Sequence, residues 1–143
     1  MLFRIIMKIL AFFILLISTS SFAGEYETNF NIEKFKFAQN NGKIVVIHSW
    51  NKSCGTCAKQ KPILEKAKKD FENVIFMNFE QTKNKDIAEL LKIDYWTTIV
   101  VYKDNKELAR EIGLYNKEDI YNPVSYTHLR AHETLRYLVC RLL

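Results

Sequence analysis

The sequence holds no apolar run long enough to cross a bilayer as a helix, no internal repeat, no low-complexity segment and no basic stripe interleaved with aromatics. The apolar run Ile9 to Ile17 falls well short of the ~20 residues that a membrane-spanning helix requires. Its flanks are instead those of a cleavable leader. Arg4 and Lys8 stand ahead of it, and Ser18-Thr19-Ser20-Ser21-Phe22-Ala23 follows, with small residues at Ser21 and Ala23. Residues 1–23 therefore read as a signal peptide and Gly24 as the first residue of the exported chain, so the membrane is met only during export. A periplasmic or secreted location places the cysteines in an oxidising compartment, where a disulfide can form and persist.

The lack of a basic stripe survives a closer count. Of the formal net charge of +5, Arg4 and Lys8 supply two, and Arg130, Arg136 and Arg141 less Glu133 supply two more, leaving +1 for residues 24–123. No nucleic-acid partner is expected from that balance. Lys59, Lys61, Lys66, Lys68 and Lys69 do cluster, but with Glu65 and Asp70 among them they read as a solvated helix face.

Residues 124–143 lack lysine and asparagine, although sixteen lysines precede them and the stretch from Gly24 to Pro123 is rich in asparagine. Lys, Asn, Ile, Phe and Tyr are what an AT-rich gene encodes, and the tail departs from that usage. Val124 to Thr134 also resembles a translated sequencing-adapter read-through. We expect residues 124–143 to be a non-native tail and give no role to His128, His132 or Cys140, although the two histidines have the helical spacing of a metal pair. The remaining residues 24–123 are enough for one domain with a sizeable core.

Within that domain Gly24 to Phe30 is a short polar arm. Asn31 is a good N-cap for a helix through Gln39, with Ile32, Phe35 and Ala38 at helical spacing, and Asn40-Asn41-Gly42 ends it. Ile44 to Ser49 reads as a buried strand. A helix follows to about Asp70, with Pro62 inside it as a kink. Asn73 to Phe79 is apolar on both faces, as a central strand parallel to the first would be. Asp86 to Leu91 is a short helix. Thr97 to Tyr102 and Glu107 to Ile112 flank an Asp104-Asn105 turn as a hairpin, Gly113 breaks the pattern, and Asn116 caps a last helix that Asn122-Pro123 cuts off. Parallel strands joined by helices, then a hairpin and a closing helix, predict an α/β fold in three layers with helices on both faces of the sheet.

The chemistry centres on Cys54-Gly55-Thr56-Cys57, placed where the first strand gives way to a helix. Unpaired N–H groups and the dipole at a helix start favour negative charge, so the first sulfur should ionise more readily than a free thiol. A static disulfide is the plainer reading, but a two-residue spacer closes so small a loop that it stabilises the fold little. Redox exchange is therefore favoured. Gly55-Thr56 offers a hydroxyl near the sulfurs and no imidazole to stabilise a thiolate, which leans towards a reductant or a middling potential.

Over Ile32 to Tyr121 the chain resembles the thioredoxin family. The matching features are Trp50 four residues before the first cysteine, Cys54-Gly55-Thr56-Cys57 itself, Pro62 five residues after the second cysteine, and the hairpin Ile99 to Ile112 followed by Gly113. With the leader, the resemblance is to the exported, periplasmic branch. It implies a thioredoxin-like α/β/α sandwich around a mixed sheet of about four strands, with Cys54 as the exposed attacking thiol and Cys57 as the resolving one.

Three positions depart from the family pattern. Ser53 stands where an aromatic usually precedes the first cysteine, and His48 stands where a buried carboxylate is usual. The proline expected to face the cysteines is replaced by Trp96 or Thr97, so a trans peptide and an altered substrate groove are expected there. His48 is then either a satisfied core histidine or a proton acceptor for Cys57. Trp50 and Trp96 are expected to pack against the site rather than touch substrate.

The expected protein is a monomeric thiol–disulfide oxidoreductase without cofactor or resident metal. Its substrates are exported proteins with cysteines, and an unidentified redox partner recharges it. The competing reading is a module in which Cys54 and Cys57 hold zinc or copper, although a single C-x-x-C is half of a tetrahedral site.

Overall fold

A computed structural model describes residues 26–125. The leader assigned to residues 1–23 lies outside the described residues, as do His128, His132 and Cys140. Helix α1 spans Ile32–Asn40, β1 Ile44–Trp50, α2 Gly55–Asp70, β2 Val74–Glu80, α3 Lys85–Leu90, β3 Thr98–Lys103 and β4 Lys106–Ile112. Residues 117–125 form a final helix, α4.

The boundaries follow from local chemistry. Asn31 accepts the Lys34 N–H at 2.8 Å as the N-cap of α1, satisfying one of the donors a helix start leaves unpaired. Asn41 closes the other end by donating Nδ2 to the Phe37 carbonyl at 2.7 Å, and Gly42 takes the left-handed conformation at φ +65°. Asp104 and Asn105, at φ +52° and +59°, make the tight turn that matches the twist of the β3–β4 hairpin.

The sheet runs in the order β2-β1-β3-β4. Strands β1 and β2 pair in parallel from Ile44 opposite Val74 to Trp50 opposite Glu80, and β3 runs antiparallel to both β1 and β4. Successive residues of β1 point to opposite faces, which divides the core in two. Val45 and Ile47 pack with Ala38 of α1, Phe79 and Val100, and Ile87 and Ala88 of α3 join them. Ile44 and Val46 pack with Leu64 of α2, Ile99, Val101, and Ile120 and Val124 of α4. This is the expected α/β/α sandwich with four strands, each buried Val or Ile contributing roughly 1.5–3 kcal/mol by leaving water.

Two expectations are corrected. Strand β2 is parallel to β1 but lies at the sheet edge. It is apolar on both faces because helices cover both, and the arm covers its open side. Asn29 and Phe30 both donate backbone N–H to the Asn78 carbonyl at 3.0 Å, while Asn29 Oδ1 and Thr28 Oγ1 accept from the Asn78 and Glu80 N–H groups. A covered edge looks like a central strand in sequence. Helix α4 also does not stop at Asn122-Pro123. Ile120 and Val124, one turn apart on one face, are both fully buried, and that burial carries the helix past the proline.

Candidate redox site

Strand β1 ends at Trp50, and the next residues turn the chain into α2. Asn51 organises this turn. Its side-chain Oδ1 accepts the Ser53 N–H at 2.8 Å, and its backbone carbonyl accepts the Cys54 N–H at 3.2 Å. Ser53 itself is exposed, so the edge of the site beside the cysteines is open.

Cys54 is the N-cap of α2, with its sulfur doing what a serine oxygen does elsewhere. Sγ accepts the Cys57 N–H at 3.0 Å. A thiolate at that position meets both the positive end of the helix dipole and an aimed donor. The two cysteines are joined by a disulfide with Cα atoms 5.2 Å apart. Cys54 is half-buried, whereas Cys57 is 4% exposed. An incoming sulfur can therefore reach Cys54 and not Cys57. Thr56 is half-buried between them on the first turn of the helix.

A cavity of about 180 Å³ opens at the pair, lined by both cysteines together with Tyr26, Trp50, Lys52 and Lys61. The cations in its wall again favour the ionised thiol. Trp50 packs as expected: it is 7% exposed, donates Nε1–H to Asn78 Oδ1 at 3.0 Å and lies 5.2 Å from the Tyr26 ring. Trp96 does not pack in this way. It is 45% exposed, next to Tyr95 at 62%, and both line a larger open groove of about 680 Å³ that runs to Gln81 and Thr82 and touches neither cysteine. Thr97, with its φ of +67°, is buried at this loop, and the Tyr95 carbonyl accepts from Ser49 Oγ at 3.2 Å, while the side chains of Tyr95 and Trp96 stay on the surface.

Thr97 stands at the end of β1, donating its N–H to the Ser49 carbonyl at 2.9 Å. No cis peptide bond occurs among the described residues. His48 is buried on β1, with Nε2 3.0 Å from Gln60 Oε1 and Nδ1 3.4 Å from the Tyr26 hydroxyl. Burial pushes its pKa down to about 4, against a smaller upward pull from the Gln60 hydrogen bond. The imidazole is thus neutral near pH 7, and both its nitrogens are engaged by Tyr26 and Gln60.

Tyr26 and Gln60 were not singled out by the sequence. For Gln60 a signal was present: Cys57, Gln60, Leu64 and Ala67 form the buried stripe of α2, so a glutamine occupies an apolar position. Tyr26 lies in a short arm without periodicity and carried none.

Comparison with known proteins places these features in context. The family model described as Thioredoxin matches residues 26–125. A thioredoxin of Mycoplasma pneumoniae is 35% identical over 89 residues, 62% of this chain and 85% of that protein. A thioredoxin of Coprinus comatus is 33% identical over 85 residues, 58% of this chain and 80% of the relative. In fold, the thioredoxin of Fasciola hepatica superposes with a TM-score of 0.59 at 24% identity, covering 66% of this chain and 90% of the other.

Proposed function

The chain belongs to the thioredoxin family, as a thiol–disulfide oxidoreductase whose redox pair is Cys54 and Cys57, and we propose that it works after export, as a reductant of disulfides in other exported proteins. The observation that carries the assignment of roles is the unequal setting of the two sulfurs. Cys54 is accessible and caps the helix, while Cys57 is buried one turn further in.

In the dithiol form the Cys54 thiolate attacks a substrate disulfide. A bond forms between Cys54 Sγ and the nearer substrate sulfur, and the other substrate sulfur leaves as a thiolate. Cys57 then loses its proton and attacks Cys54 Sγ. The Cys54–Cys57 bond forms, the second substrate sulfur departs, and two electrons have passed to the substrate. A dithiol of a recharging partner returns the pair to the reduced state. The lysines near the cleft and the helix start hold the attacking sulfur ionised, and the exposed Tyr95 and Trp96 offer a surface for the substrate polypeptide.

The export half of the reading is supported by the leader pattern of residues 1–23. Expression of the full chain in a Gram-negative host should yield a periplasmic form starting near Gly24; an unprocessed cytoplasmic product would contradict it. The activity half is tested by charging the protein with dithiothreitol and following insulin reduction, with Cys57→Ala trapping a mixed disulfide on Cys54. The absence of both turnover and adduct would contradict it. Equilibration with glutathione should give a potential well below the ~ −120 mV of strong disulfide donors. Among the described residues no three His, Cys, Asp or Glu side chains come together, so a metal held by Cys54 and Cys57 would need further ligands from another chain.

A further inference from the structure

The hydrogen bonds behind the disulfide run in one direction. The Thr97 carbonyl can only accept, so Gln60 must turn its amide nitrogen towards it, at 3.1 Å. That leaves Gln60 Oε1 facing His48 Nε2 at 3.0 Å, and an amide oxygen can only accept as well. His48 therefore carries its proton on Nε2. A neutral imidazole has one N–H, so Nδ1 holds a lone pair and takes the Tyr26 O–H at 3.4 Å. Tyr26 stays a donor because burial and the Glu65 carboxylate push its pKa up. Neither nitrogen of His48 is left for Cys57.

The receiving end of this chain is a strained residue. Thr97 is β-branched and sits at φ +67°, a conformation that costs on the order of 1–3 kcal/mol and persists only where the surroundings over-determine it. Here its N–H goes to Ser49, and its carbonyl accepts from both Gln60 Nε2 and, at 3.2 Å, the Gly113 N–H. Gln60 lies three residues after Cys57 on α2, so one side chain ties the helix bearing the cysteines to the loop that carries Tyr95, Trp96 and Thr97. Tyr26 begins the chain and also walls the cleft at Cys54 and Cys57, beneath the Lys61 ammonium 4.8 Å from its ring.

We propose that Tyr26, His48 and Gln60 are positioning residues for thiol–disulfide exchange, a one-way hydrogen-bond chain that fixes the Thr97 carbonyl and so presents Tyr95 and Trp96 to a polypeptide substrate. This rests on the oxidoreductase reading and extends it to three residues outside the cysteine motif. His48 acts through Gln60 on the loop rather than as the proton acceptor for Cys57.

The test uses the full chain and two substrates, insulin, which needs the loop, and dipyridyl disulfide, which needs the sulfurs alone. Gln60→Met keeps the length of the side chain but removes the donor to Thr97. It should raise KM for insulin about tenfold with kcat within about twofold, and leave the rate with dipyridyl disulfide within about twofold of wild type. Tyr26→Phe, which keeps the ring and loses only the hydroxyl, should raise KM for insulin by about two- to threefold. Equal losses on both substrates, or none on either, would overturn the proposal. Nitrogen NMR of His48 supplies a readout independent of turnover: a protonated Nε2 and a lone-pair Nδ1 are expected, and the opposite tautomer would overturn the chain. A wild-type protein that reduces neither disulfide contradicts the oxidoreductase reading itself, which the variants do not test.

Discussion

The two ends of the sheet differ in which residue types take left-handed backbone. At the end where β1 begins and the hairpin turns, the positive φ angles fall on Gly42, Asp104 and Asn105, residue types that tolerate them. Packing there agrees with the residue choice: a Cβ on Gly42 would come 3.2 Å from Asp104 Oδ1. At the end where β1 runs into the cysteines, positive φ falls on Gly113, which tolerates it, but also on Thr97, a type that resists it and that three hydrogen bonds to its backbone hold in place. One end is settled by local chemistry and the other by tertiary contacts, which is what a site held in place for a reaction requires.

If that division is right, changes at the site end alter activity or its pH response, and changes at the turn end alter stability alone. The largest effect is expected for Cys54→Ser, which should lower insulin reduction by on the order of 10³-fold or more, while the unfolding midpoint moves little because the disulfide closes a small loop.

Next comes the pH response of His48. Its folded pKa of about 4 lies below the ordinary value of 6.5, so the unfolded chain binds more protons between those values. The stability present above pH 6.5 is therefore lost as pH falls, by roughly 3 kcal/mol on reaching pH 4. Tyr26 from the arm and Gln60 from α2 face the ring, and Glu65 and Lys68 line the small cavity beside it. Denaturant unfolding of wild type and His48→Gln at pH 7 and pH 4 should show a much smaller fall in the variant; equal falls would remove His48 from the account.

Gly42→Ala should cost about 1 kcal/mol of stability through its left-handed backbone and leave insulin reduction unchanged. A loss of activity there would break the separation of the two ends. The smallest effect is expected for Asn105→Gly. Glycine accepts the turn conformation, but the bond from Asn105 Nδ2 to Asn40 at 3.3 Å is lost, so thermal unfolding should report a change within about 0.5 kcal/mol.

The same division explains what could be read from the chain alone. Asn31, Gly42 and the Asp104-Asn105 turn are signals carried by single residues, and the elements they bound lie where expected. The cysteine motif at a strand–helix junction was equally local. The edge position of β2 was hidden because the arm that covers it bonds through backbone groups and short side chains, Thr28 and Asn29, with no hydrophobic pattern. Trp96 was expected to pack because aromatics are usually buried, and the left-handed backbone of Thr97 beside it depends on partners from β1, α2 and the residue after β4. His48 was visible as a departure from the family pattern. Its partners Tyr26 and Gln60 were not, since nothing local links residue 26 to residues 48 and 60.

The most direct measurement is the rate of iodoacetamide alkylation of Cys54 in the Cys57→Ala protein across pH, mapped by peptide mass spectrometry to separate it from Cys140. The helix-capping sulfur and its cationic cleft predict half-maximal reactivity clearly below the value of about 8.5 of an ordinary cysteine. Half-maximal reactivity at or above that value would contradict the assignment of Cys54 as the attacking thiol.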